Sequence, residues 1–154
     1  MKKLLLVTLM IFCGVAFSAN ESFLFFQTAT EGNLKKVNNN HYLLTIQHAP
    51  KYVNYFSDRP VRKSGIMKLA KFNSFWTNDE IKNNFKTNPP NVAIVLVDAQ
   101  GKRQDLVAIA SNPKLSKEQL TYELQPIKTQ NVYIGPFKYM LMITDDISWN
   151  PGGF

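Results

Sequence analysis

The chain has 154 residues, with 18 Lys and Arg against 11 Asp and Glu, and one cysteine. A single cysteine excludes an internal disulfide framework, and the length suits one ordinary domain rather than several. A formal charge of +7 either favours contact with anionic surfaces or only keeps the protein dispersed.

In chain order, Met1-Lys2-Lys3 is followed by an apolar run at residues 4–12 and then by the small residues Gly14, Ala16, Ser18 and Ala19. A basic head, a greasy middle of roughly 7–15 residues and a small-residue exit form the layout of a secretory signal peptide. Ala16 and Ser18 fill the two small positions of an A-x-A-like site. This predicts a signal peptide over residues 1–18; cleavage after Ala19 would put bulky Phe17 in one of those positions. Cys13 lies within the signal, and Phe12 before it does not fit the small residue that lipid attachment needs. The mature chain then has no cysteine and no disulfide, and it keeps sixteen basic residues against eleven acidic ones, about +5. No transmembrane segment is expected in it, since a span needs ~20 apolar residues and the runs at 92–97 and 140–143 are strand-length. Localisation is expected to be periplasmic or extracellular, and stability must come from apolar burial without staples.

No repeat or linker divides residues 19–149, which are expected to form one β-rich domain followed by a flexible tail at 150–154. Residues 22–26 open it as a strand. Glu31-Gly32-Asn33 punctuates, residues 34–37 form a short strand, and Asn38-Asn39-Asn40 turns, because asparagine tolerates left-handed backbone angles. Tyr42, Leu44 and Ile46 alternate with Leu43, Thr45 and Gln47, which predicts a strand that Pro50 ends. Residues 53–57 are extended.

The helical stretch falls around residues 68–85, where Leu69, Phe72, Phe75 and Trp76 recur three and four apart on one helix face. Thr77 and Glu80 fit a capping box, so two short helices are expected to meet near Thr77. Residues 92–97 read as a central strand buried on both faces. A turn follows at 98–101, then a return strand at 106–110 that Asn112-Pro113 breaks. Leu120, Tyr122 and Leu124 alternate with polar neighbours, and Tyr139, Leu141 and Ile143 show the same spacing near the end. The pattern predicts a mainly β fold. Its form would be an antiparallel sandwich, immunoglobulin-like or related, of seven to eight strands with one short helical insertion.

The densest segment is residues 55–65, which contains Phe56, Ser57, Asp58, Arg59, Pro60, Arg62, Lys63 and Gly65. Phe72, Trp76 and Phe85 follow, then Pro89-Pro90-Asn91. In these residues the chain resembles a family of small uncharacterised secreted or periplasmic bacterial proteins with the pattern F-[ST]-D-R-P-x-R-x-x-G followed by P-P-N. The resemblance covers about two thirds of the mature chain. It implies export and a β-rich domain, and it brings no known activity.

The segment also has a reading of its own. Adjacent Asp58 and Arg59 point to opposite faces of an extended chain, and Pro60 holds Arg59 extended. Either the two pin the helical insertion to the sheet, with Phe56, Ser57, Pro60, Gly65, Pro89, Pro90 and Asn91 as the structural motif, or Arg59, Arg62 and Lys63 form an anion site. Lys68 and Lys71 extend the run of cations, and Trp76 follows. Cations beside aromatics suit anionic lipid, an acidic glycan or a protein partner; the alternative is an aromatic core with a solvated lysine rim. Nucleic acid is not expected, since no recognition motif is present.

The catalytic residue types are scattered. There is no G-x-S-x-G elbow. His41 and His48 are seven apart, on opposite faces of a regular strand, and so make poor joint metal ligands. Asp145 and Asp146 diverge as neighbours on a strand. Asp98 and Asp105 flank a hairpin without a D-x-D-x-D-G calcium loop. No metal or cofactor is expected. The leading expectation is an exported non-enzymatic binding domain. The alternatives are a secreted hydrolase using carboxylates such as Asp58 or Asp98, which needs two titratable groups in one cleft, and an envelope structural or assembly component joined through exposed strand edges.

Overall fold

A computed structural model describes residues 22–57, 59, 62–81, 84–128 and 132–145. The expected signal peptide and tail therefore lie outside the described residues, as do Asp58, Pro60 and Asp146. The elements run β1 (Phe23–Ala29), β2 (Gly32–Asn38), β3 (His41–Ile46), β4 (Tyr52–Ser57), β5 (Ser64–Lys68), α1 (Leu69–Ser74), β6 (Asn91–Val97), β7 (Arg103–Ser116), β8 (Gln119–Pro126), β9 (Gly135–Phe137) and β10 (Tyr139–Thr144). All ten strands belong to one sheet in the order β5-β4-β1-β10-β6-β7-β8-β3-β2-β9, and neighbours are antiparallel throughout.

Period-two burial explains why this sheet curls. Phe23 and Phe25 on β1, Leu44 and Ile46 on β3, Ile94 and Leu96 on β6, and Leu120 and Leu124 on β8 are all buried on one face. A single apolar face can be hidden only if the sheet curls around it. The curl is visible in one bond: the Tyr122 hydroxyl on β8 donates to Gln27 Oε1 on β1 at 2.9 Å. Those strands are four places apart, which in a flat sheet would separate them by about 19 Å. The end strands β5 and β9 do not pair with each other among the described residues, so the sheet stays open.

The space inside the curl is filled by aromatic side chains from the helical insertion. Phe72 packs 5.1 Å from Phe25, Trp76 lies 5.9 Å from Tyr122, and Trp76 and Phe85 are 4.6 Å apart, all centroid to centroid. The Trp76 indole N–H donates to the Ala110 carbonyl on β7 at 3.2 Å. Each ring pair adds about 0.5–1.5 kcal/mol beyond its area burial, and together they tie α1 to both walls.

Several details depart from the sequence expectation, each for a physical reason. Two strands beyond the eight read from pattern are the short edges β5 and β9, each paired to one neighbour only. The second helix after Thr77 is replaced by turns. There Asn78 Oδ1 accepts the Glu80 amide at 2.9 Å, a local bond that competes with helix. Asn112-Pro113 does not end its strand; β7 runs through it with a register shift between Ser111 and Lys114. Asn112 takes φ +50° and its side chain donates to Glu123 Oε2 at 3.0 Å, so the bulge absorbs a proline that has no ladder donor. β6 is central but buried on one face only: Val92, Ile94 and Leu96 point inward, while Ala93 is exposed. On β10 the inward set is Met140, Met142 and Thr144, with Tyr139 exposed.

Candidate functional site: the basic and apolar surface of the β4–β5 hairpin

The sequence motif maps onto the β4–β5 hairpin. Ser57, buried at the end of β4, closes the base of the loop: its backbone N–H donates to the Lys63 carbonyl and its Oγ accepts the Lys63 amide, both at 2.8 Å. Arg59 and Lys63 are exposed, as is Arg62, which takes φ +49°. Gly65 on β5 faces Tyr55, and a β-carbon there would come within 2.6 Å of the ring. Without one, the ring lies across the edge strand and meets Phe23 edge-on at 5.7 Å. Pro90 is buried, its carbonyl accepts the Ala110 amide at 3.0 Å, and Asn91 starts β6. Ser57, Gly65, Pro90 and Asn91 thus organise backbone, and Arg59, Arg62 and Lys63 sit at the tip.

The expected basic run divides between the two ends of the hairpin. Arg59, Arg62 and Lys63 are at the tip; Lys68 is at the far end of β5, beside Tyr52; half-buried Lys71 is on α1. Trp76 is 5 % exposed and belongs to the core with Phe72 and Phe75, so its indole does not lie on the surface beside these cations.

Other apolar side chains take that surface position. On the outer face of β1, β4 and β5, Ile66 is 60 % exposed, Tyr52 52 %, Phe56 42 % and Leu24 36 %. The register sets Leu24 directly opposite Phe56, and Tyr52 opposite Lys68. Tyr52 and Phe56 are an even number apart on one strand, which fixes them on one face; that spacing was the available signal, hidden because the opposite set of β4 also contains Val53 and Tyr55.

A cavity of about 300 Å³ lies where the base of this hairpin meets the tip of the β7–β8 hairpin. Ala49, Leu69, Ala70 and Leu115 form its floor, with Lys51, Lys68 and Lys117 around it. Its walls are pinned by backbone bonds from Ala49 N–H to the Glu118 carbonyl at 2.7 Å and from Leu69 N–H to the Lys51 carbonyl at 2.8 Å. The Glu118 carboxylate meets His48 Nδ1 at 3.2 Å.

A second cavity of about 310 Å³ lies at the β6–β7 end, against Leu96, Gln104, Tyr133 and Phe137. Among its described lining residues the one carboxylate is Asp98. Its Oδ1 accepts the amides of Gln100 and Lys102, each at 2.9 Å, so it shapes the turn. Asp105 is held by Arg103 Nε at 2.8 Å. His41 Nδ1 lies 3.0 Å from Asn38 Oδ1, a different partner from the Glu118 carboxylate that meets His48. No group of three His, Cys, Asp or Glu able to hold a metal occurs among the described residues, and no described helix is long and apolar enough to cross a membrane. No family model matches the chain, and no curated protein or solved structure is significantly similar to it.

Proposed function

We propose that this chain is an exported, non-enzymatic binding domain that engages anionic surfaces through the outer face of its β4–β5 hairpin. The observation that carries the reading is the coincidence, on one hairpin, of exposed Tyr52, Phe56 and Ile66 with cations at both ends, Arg59, Arg62 and Lys63 at the tip and Lys51 and Lys68 at the base. Exposed apolar side chains between clustered cations suit an interface where tails and anionic headgroups meet, and each cation near such a surface is worth about 1 kcal/mol. The filled interior leaves function to the outside, and the local bonding of Asp98 and Asp105 favours this reading over a carboxylate hydrolase. The two halves of the curled sheet would act as the layers of an antiparallel sandwich, with the plug between them. We place the chain with the small exported proteins whose F-[ST]-D-R-P-x-R-x-x-G pattern it carries, and in the periplasm or outside the cell.

Co-sedimentation of the mature protein with vesicles tests this. Binding is expected with phosphatidylglycerol-containing vesicles and not with pure phosphatidylcholine. It should weaken steeply with added salt, since exposed charges are screened over about 10 Å at 0.1 M. Arg62→Glu with Lys63→Glu should reduce it by at least about thirtyfold, and separately Phe56→Ser with Ile66→Ser about tenfold. Equal binding to both vesicle types, or none to either, would reject a lipid surface; retention on an acidic glycan column instead would reassign the partner.

A second reading, assembly of an envelope structure, is favoured by the open edge of β5 beside that apolar face. Molar mass rising with concentration in light scattering, and falling back in the Phe56→Ser, Ile66→Ser variant, would select it.

A further inference from the structure

The cavity at the foot of the hairpin has a chemistry of its own. Its floor is apolar and its three bounding lysines, Lys51, Lys68 and Lys117, make no ion pair with any described residue. The one carboxylate on its wall, Glu118, is engaged by His48. Like charges gathered around apolar surface repel one another and are relieved by a counter-charge that also covers that surface. The walls are preformed, because the two backbone bonds of Ala49 and Leu69 join the β3–β4 connection to the β7–β8 turn on one side and to α1 on the other. Lys117 holds φ +55° in that turn, a conformation that favours glycine; a long cationic side chain therefore stands where the backbone alone would select none. The volume is at the lower end of the roughly 300–1,000 Å³ of ligand pockets, so the fitting molecule is small.

We propose that this cavity binds a small amphipathic organic anion: one alkyl or aryl group, seated on Leu69, Ala70 and Leu115, carrying a single carboxylate, phosphate or sulfate held by the lysines. The anion and the apolar body are both required. Neither simple inorganic anions nor uncharged chains satisfy both the rim and the floor. This site shares Tyr52, Lys51 and Lys68 with the base of the hairpin, but Leu115 and Lys117 of the β7–β8 hairpin and Leu69 and Ala70 of α1 lie off the hairpin's flat face, so its ligand does not depend on that face's partner.

Titration calorimetry of the mature protein with octanoate, octanol, octyltrimethylammonium and acetate tests the proposal. Octanoate is expected to saturate one site, and octanol, the octyl cation and acetate to bind at least about tenfold more weakly. Lys117→Glu, on an exposed turn, should weaken octanoate about tenfold. Ala70→Trp should abolish binding by filling the cavity, with circular dichroism confirming the fold; if that variant does not fold, Lys117→Glu decides alone. Phe56→Ser with Ile66→Ser should leave octanoate binding unchanged while reducing vesicle binding, which separates the two sites. Non-saturable octanoate binding, equal binding of the octyl cation, or full affinity in Lys117→Glu would overturn the proposal.

Discussion

Gly32 shows how far one residue can be dictated by its neighbours. It opens β2 opposite Phe137 of β9, and a β-carbon there would run into the Phe137 ring and the Thr45 carbonyl oxygen. The ring can turn aside, but the carbonyl belongs to the β2–β3 ladder and has no rotamer to change. Gly32→Ala is therefore expected to destabilise by ~1–3 kcal/mol through overpacking, read as a lower urea midpoint with an unchanged slope. Tyr122 is dictated by burial instead. It is fully buried, and desolvation pushes its phenol well above the ordinary value of 10.0. With the folded pKa raised, its contribution is intact below about pH 10 and is lost as pH climbs above that, because the unfolded chain gives up the proton first. Alkaline stability should fall by up to roughly 1.4 kcal/mol per pH unit above the unfolded value from this group alone. In Tyr122→Phe, urea unfolding at pH 7 should show a loss of about 1–3 kcal/mol from stranding buried Gln27 Oε1. The alkaline decline between pH 10 and 11 should be shallower than in the parent; an equal decline would mean another group drives it.

At the scale of elements, legibility follows contrast between the two faces of a strand. β3 and β8 carry polar or mixed residues on one side and Leu44, Ile46, Leu120, Tyr122 and Leu124 on the other, so their inward set could be read directly. β10 is apolar at five consecutive positions, from Tyr139 to Ile143, and alternation there has no phase to offer. Its register is set by pairing with β1 and β6, which turns Met140 and Met142 inward. β6 misleads for the same reason: an unbroken apolar run fits burial on both faces, yet the curl has only one inside. β7 hides its continuity behind Asn112-Pro113, because a breaker in sequence becomes a bulge when a left-handed asparagine carries it. The candidate site was half legible. The cations of the motif stand on the surface, and of the two readings open for the aromatics that follow them, the buried helix face is the one found: Phe72, Phe75 and Trp76 fill the core, so Trp76 does not stand beside the cations as a surface partner. Lys51, Lys68 and Lys117 meet only through the long-range contact of two hairpins, which no local pattern encodes.

The whole molecule sorts its aromatics into two populations, and the sorting is the physical basis of both fold and surface. Inside, Phe25, Phe72, Phe75, Trp76, Phe85 and Tyr122 form one connected set that spans from β1 to β8. Without it, the curled sheet would enclose a void that its own side chains do not reach across. Outside, Tyr52 and Phe56 rest half-exposed on the opposite face of the same sheet. The two populations should respond oppositely to truncation. Trp76→Ala removes the ring that touches Phe72, Phe85 and Tyr122 together and strands the Ala110 carbonyl. A loss of about 3–5 kcal/mol is expected, a large share of the roughly 5–15 kcal/mol that holds a domain together. Phe56→Ser should cost no more than about 1 kcal/mol, through the cross-strand pair with Leu24, while weakening surface binding. Urea unfolding followed by circular dichroism measures both. Should Phe56→Ser destabilise the protein as much as Trp76→Ala does, the outer face would be part of what holds the sheet in its curl, and its exposed side chains could not be assigned to a partner.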